Sequence, residues 1–268
     1  MNIIRLLIIS LFCCAWVSTA EVQADIAADT QARNAALPDY AALHRLLANE
    51  QEPMMWLFVG DSITHGCLHT HGFRSFAEHW MELVKWEYRT ERGSRRTNDI
   101  VLNTAVSGET AAGFLHHAEW RLKQFKAHVV FINFGINDGT RKRGTDNFRA
   151  DLQQIIELVR QQGTIPVLQT PSLTLAGEEY RPLYAAAVRQ VAEEQQVLLV
   201  DHAAAWVACA AKDAASATSG TTSVPAPRGL MNDNLHPNGL GHRLMAQTIA
   251  RHLGITPQHS PTLKLPLQ

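Results

Sequence analysis

Five short, nearly all-apolar runs recur along the chain: residues 54–60 (MMWLFVG), 100–106 (IVLNTAV), 128–135 (HVVFINFG), 165–170 (IPVLQT) and 197–201 (VLLVD). Runs of this length without polar alternation fit strands buried on both faces, as in a parallel sheet. Between them, segments 73–90, 111–125, 145–162 and 179–195 read as helices. Strand and helix alternating five times predicts an α/β fold: a doubly wound αβα sandwich around a five-stranded parallel sheet. Right-handed crossovers then put every strand C-terminus at one edge, where such sheets bind ligands.

The flanks read differently. Tyr40, Leu43, Leu46 and Leu47 predict a helix over 37–50, opened by Pro38 and Asp39. Residues 21–36 are polar and alanine-rich, and read as a tether. Residues 1–20 carry Arg5, an apolar run to about Val17, and small Ser18 and Ala20 at the −3 and −1 positions of a cleavage site, which reads as a secretory signal peptide. The run is shorter than the roughly 20 residues of a membrane-spanning helix; an uncleaved anchor stays open, since one arginine makes a weak basic region. Phe12 and Cys13 are not the small residues that a lipoprotein site at Cys13 or Cys14 needs. Residues 207–229 turn into a Ser/Thr/Pro-rich loop after Ala215 and lead to a last helix, so the expected domain spans 37–254 and residues 255–268 form a tail.

Charge narrows the partners. The chain of 268 residues has a formal charge of −1, and loss of Arg5 with the leader leaves 23 basic against 25 acidic residues. No strongly basic stretch is present, so nucleic acid is excluded as the expected partner, as is stable membrane insertion once the leader is cut. Beyond the leader only Cys67 and Cys209 remain. In an oxidising compartment they either pair or pack as two separate small apolar side chains.

The polar residues collect where strands end. Asp61 and Ser62 follow the first strand, Gly108 the second, and Gly135 and Asn137 the third; Asp233 and His236 precede the last helix. That set suits acyl transfer. A serine hydroxyl needs a base to take its proton, which His236 can supply, and the base needs a group to hold its tautomer, which Asp233 can supply. The Ser62 and Gly108 N–H groups and the Asn137 amide are candidate oxyanion donors. Taken singly these triplets also occur as helix caps and turns.

Together the blocks resemble the SGNH (GDSL-type) hydrolase family. "GDSIT" at 60–64 matches its nucleophile block, "NTAVSG" its glycine block, "GIND" at 135–138 its asparagine block and "DNLHP" at 233–237 its acid–base block. The resemblance spans 54 to about 253. It implies a flavodoxin-like sandwich, a shallow open site and a serine esterase without a cofactor: Ser62, Asp233 and His236 catalytic; Ser62, Gly108 and Asn137 as oxyanion hole. With a secretory leader it is similar to members acting on acylated carbohydrate, so the expected substrate is a short-acyl, acetyl-type ester and the expected location periplasmic or extracellular. A lipase, lysophospholipase or thioesterase of the same fold is the near alternative, and an acyltransferase stays open. Those of another class are a non-catalytic envelope binding protein and a histidine-rich metal-binding protein.

The remaining candidates are assigned by their neighbours. His65, His69 and His71, with Cys67, have the close spacing of metal ligands but no carboxylate to complete a set. The expected reading is a loop at the pocket mouth, with His65 touching substrate, the other two solvated and no metal bound. Asp61 and Asp138 are expected in turns or caps, and Asp201 as a cap. Arg74, Glu109 and Arg141 are expected to be solvated. Trp80 and Trp86 are expected in the core rather than as a sugar platform.

Overall fold

The protein is described by a computed structural model over residues 29–66, 69–172, 174–177, 179–216 and 228–255. The leader, Cys67 and the tail from residue 256 lie outside the described residues, and with them the questions of cleavage and of a Cys67–Cys209 bond.

Five parallel strands, β1 (Met55–Gly60), β2 (Ile100–Asn103), β3 (Val129–Asn133), β4 (Ile165–Gln169) and β5 (Leu198–Val200), lie in the order β2-β1-β3-β4-β5. This is the flavodoxin-like order, with its switch point between β1 and β3. Alternate side chains sort to the two faces. Trp56, Phe58 and Phe131 enter one core with α2 (Pro38–Ala48), α4 (Phe76–Glu82), α9 (His202–Ser216) and α10 (Gly239–His252). Leu57, Val59, Val130 and Ile132 enter the other with α5 (Ala111–Ala118), α7 (Thr145–Gln161) and α8 (Arg181–Glu194). Phe58 stacks on Phe131 at 4.4 Å between ring centroids, and Trp80 meets Phe131 edge-on at 5.5 Å. Each such ring contributes about 1.5–3 kcal/mol by leaving water.

Three expectations change. β2 is shorter than 100–106 and only half buried, with Ile100 45% exposed, because it is an edge strand with one partner. Trp80 is fully buried, but Trp86 is 48% exposed. Six residues advance an α-helix by about 240°, so the two cannot share a face, and α4 passes into a π-turn at Leu83–Glu87 before Trp86 is reached.

The third change concerns the expected tether, 21–36. Its described part is a docked helix, α1, over residues 29–35. Asn34 is fully buried against the open edge of β5. Its side-chain amide donates to Leu199 O (2.8 Å) and His252 O (3.0 Å), and its carbonyl accepts from Leu199 N (3.0 Å). A side chain thus supplies the hydrogen bonds that another strand would make, which closes an edge otherwise open to pairing. Arg33 adds bonds to Ala192 O and Val197 O and an ion pair with Glu193.

Candidate active site

The switch point builds the site. β1 ends in Gly60, where a Cβ would lie 2.6 Å from Asn133 O on β3 and 2.3 Å from Thr64 Oγ1, so only glycine lets the strands and the turn close. The chain turns at once into α3 (Ser62–His65), with the Asp61 side chain capping it through Ile63 N at 3.0 Å. Ser62 is therefore the first residue of a helix, and its N–H is one of the donors a helix start leaves without an internal partner. The Asp61 carboxyl is fully buried. Burial pushes its pKa up to about 7, against the lowering effect of the Ile63 N–H, and the nearby Asp138 adds to the rise.

The expected acid and base arrive from far along the chain. Residues 231–237 fold into a tight loop, clipped by a bridge between Met231 and Pro237. Within it Asp233 accepts from Leu235 N and His236 N, both at 2.7 Å, and reaches His236 Nδ1 at 2.9 Å. Burial raises the Asp233 pKa, but those N–H donors and the His236 ring outweigh it and leave the carboxyl below its usual range. An ionised Asp233 holds the proton on Nδ1, which leaves the Nε2 lone pair to face Ser62 Oγ at 3.0 Å. Ser62 and His236 are 7% and 9% exposed.

The other expected donors follow the ends of β2 and β3. Gly108 sits at φ +80°, a backbone conformation that favours glycine, and Arg141 Nη2 donates to its carbonyl at 2.7 Å. Asn137 lies in the first turn of α6 (Ile136–Thr140), and its Nδ2 donates to Glu109 O at 3.0 Å. That bond uses one amide hydrogen and orients the second. The neighbouring Asp138 is fully buried and accepts from Ala111 N at the start of α5. Burial pushes its pKa up to about 6 despite that bond. Asp201, bound by Arg189 at 2.6 and 2.9 Å, caps α9 through Ala204 N. Asp61, Asp138 and Asp201 all act as caps.

The residues expected to be solvated are mostly engaged. Glu109 pairs with the buried Arg121 at 2.7 Å and Arg74 with Glu82 at 3.1 Å, while Arg141 braces Gly108. His65 is exposed, with Nδ1 3.1 Å from Ser107 Oγ, beside the glycine loop; His71 is exposed as expected. His69 is not solvated as expected: its ring lies flat on His236, 3.4 Å between centroids and 5° between planes. Spacing gave no sign of this, because the contact joins a loop after α3 to one 167 positions later.

Among the described residues, one set with metal-ligand composition comes together: His69, Asp233 and His236, with ligand atoms within 4.8 Å of one another. Imidazole lone pairs lie in the ring plane. Two parallel rings point them side by side rather than at a common centre, and Asp233 already serves His236. The arrangement fits a stack better than a metal shell. Beside it an open groove of about 820 Å³ runs between α4 and α10, lined by Phe73, Arg74, His79, Asn232, Arg243 and Gln247, among others. A second cavity of about 560 Å³ lies against His65 and Asn103, and Phe73 lines both.

Ser62, His236 and Asp233 thus stand in hydrogen-bonding sequence at the switch point of a flavodoxin-like sandwich, an arrangement that can activate a serine hydroxyl. Residues 58–244 match the GDSL-like Lipase/Acylhydrolase family. An acetylxylan esterase of Geobacillus stearothermophilus is 27% identical over 222 residues, 74% of this chain and 93% of that protein. An arylesterase of Vibrio mimicus is 24% identical over 209 residues, 78% of this chain and 92% of that one. An uncharacterized Mycoplasma pneumoniae protein is 32% identical over 112 residues, but these are 40% of this chain and only 12% of that protein. A solved structure of the Geobacillus acetylxylan esterase superposes with a TM-score of 0.58 at 23% identity, over 76% of this chain and 95% of that one. The chain belongs to the GDSL-like lipase/acylhydrolase family and is a carboxylic ester hydrolase.

Proposed function

We propose that the protein is an exported esterase that removes short acyl groups, acetyl above all, from carbohydrate through an acyl-enzyme on Ser62. The observation that carries the mechanism is the 3.0 Å contact between His236 Nε2 and Ser62 Oγ. Ser62 Oγ attacks the ester carbonyl carbon while its proton passes to Nε2. The carbonyl oxygen becomes an oxyanion held by the Ser62 and Gly108 N–H groups and the free Asn137 amide hydrogen. The C–O bond to the alcohol breaks, and His236 gives its proton to the departing oxygen. Water, deprotonated by His236, then attacks the acyl carbon, and the carboxylate leaves as Ser62 regains its proton.

Three observations support the finer reading. The groove mixes an exposed aromatic ring, Phe73, with Asn232, Arg243 and Gln247, a lining suited to the ring faces and hydroxyls of a sugar. Its volume suits a bulky alcohol rather than an acetyl group. A relative of similar length is named an acetylxylan esterase. Export rests on the leader alone.

The test is initial rates on p-nitrophenyl acetate and octanoate for wild type and Ser62→Ala, followed by acetate release from acetylated xylo-oligosaccharides. Acetate turned over well, octanoate poorly and both lost in the variant is the expected result. Preference for octanoate moves the substrate to lipids, and full activity in Ser62→Ala overturns the mechanism.

A further inference from the structure

We propose that His69 is a positioning residue for His236, acting through its ring face rather than through a proton or a metal. The inference rests on the proposed role of His236 as the base.

Two independent anchors put the ring there. The stack is at van der Waals distance, 3.4 Å, and almost parallel, 5°. Asn232 holds both sides of it: its side chain donates to His69 O at 2.9 Å, and its backbone N–H donates to His236 O at 2.8 Å. The segment carrying His69 and the loop carrying the base are thus tied by one residue.

The stack meets a need that the Asp233 contact leaves open. Asp233 fixes one ring nitrogen, but a ring held at Nδ1 can still tip out of its plane about that contact and carry Nε2 off Ser62. A second flat ring blocks that tilt. It also supplies a π-face to the imidazolium that forms when Ser62 loses its proton, an attraction of the cation–π kind. For that, His69 has to be neutral. Burial lowers its pKa first and a charge on His236 lowers it further, against the raising effect of Asp233. Nδ1 of His69 lies 3.9 Å from Asp233 Oδ2, beyond hydrogen-bonding distance, so the face of the ring rather than its edge makes the close contact.

Three variants assayed on p-nitrophenyl acetate separate ring face from hydrogen bond. His69→Ala is expected to lower kcat about 3- to 30-fold with KM within about twofold and Tm unchanged. His69→Phe, which keeps a flat face and cannot carry a proton or bind a metal, is expected to restore kcat to within about threefold of wild type. His69→Gln, polar but without a ring, is expected to behave as Ala does. Wild-type kcat in His69→Ala, a Phe variant as slow as Ala, or a Gln variant as fast as wild type overturns the proposal. Should the Ala variant lose its fold, the Phe and Gln pair still decides. Failure of the parent reading looks different: there Ser62→Ala keeps activity, whatever the His69 series does.

Discussion

Asn34→Ala removes a buried amide that serves three backbone groups: the N–H and C=O of Leu199 and the C=O of His252. A buried backbone group left without a partner costs about 1–3 kcal/mol. Water entering the space left at the β5 edge relieves part of this, so the expected loss is about 3 kcal/mol. For a domain of this size that lowers Tm by about 6–12 °C. Urea unfolding followed by tryptophan fluorescence measures it, with an unchanged m-value showing that the same surface unfolds. Asn34→Asp is a sharper probe. Its carboxylate can still accept from Leu199 N, but it faces two carbonyl oxygens with no hydrogen to offer, so it is expected to be no better than Ala. A loss under about 0.5 kcal/mol in Asn34→Ala refutes the assignment of this side chain as the cover of the sheet edge.

Asn137→Ala is expected to lower kcat about 100- to 1000-fold with little change in KM, read by steady-state kinetics against a Tm control. Acid sensitivity follows from burial. His202 and His242 are pushed down to about 3 and His252 to about 4, each by burial first, so below their ordinary 6.5 the unfolded chain takes protons that the native fold refuses. Asp61 and Asp138, raised to about 7 and 6, act in the opposite sense, the native state taking those protons more readily. With His79, also pushed down to about 4 by burial first, four groups against two leave about two extra protons on the unfolded side, so stability is expected to fall by roughly 2.7 kcal/mol per unit between pH 6 and 4; denaturation curves that stay flat over that range refute it. The stability that a neutral Asp61 contributes is lost as pH rises from about 4 to about 7, so in Asp61→Asn the fall of stability towards acid is expected to steepen by roughly 1.4 kcal/mol per unit between pH 6 and 5. Phe73→Ala is expected to raise KM for acetylated oligosaccharides and to leave p-nitrophenyl acetate unaffected; equal effects on both substrates would remove Phe73 from the alcohol side.

The readable part of this fold was carried by short-range signals. β1, β3 and β4 are central strands, so their side chains are apolar on both faces and the runs stand out. Ser62, Asn137, Asp233 and His236 stand out because each lies at the end of such a run or before a helix. What was not readable depends on partners distant in sequence. Arg33 and Asn34 look like linker residues until Ala192, Val197 and Leu199 are beside them. Glu109 looks solvated until Arg121 is turned inward to meet it. His69 is one of three histidines in a polar loop, and only the docking of the 231–237 segment distinguishes it. Trp86 is the exception, for helix geometry alone separates it from Trp80.

The proposed catalytic relay has two joints of different character. The joint between acid and base lies inside one seven-residue loop with its own clip, Met231 to Pro237. It is a preassembled part, insensitive to how that part is mounted. The joint between base and nucleophile bridges 174 positions and two elements that meet only when α10 seats on its side of the sheet. Turnover is therefore a gauge of tertiary seating. Slight loosening of the last helix should silence the enzyme while spectroscopic signals of the sheet, and even the local aspartate–histidine contact, persist.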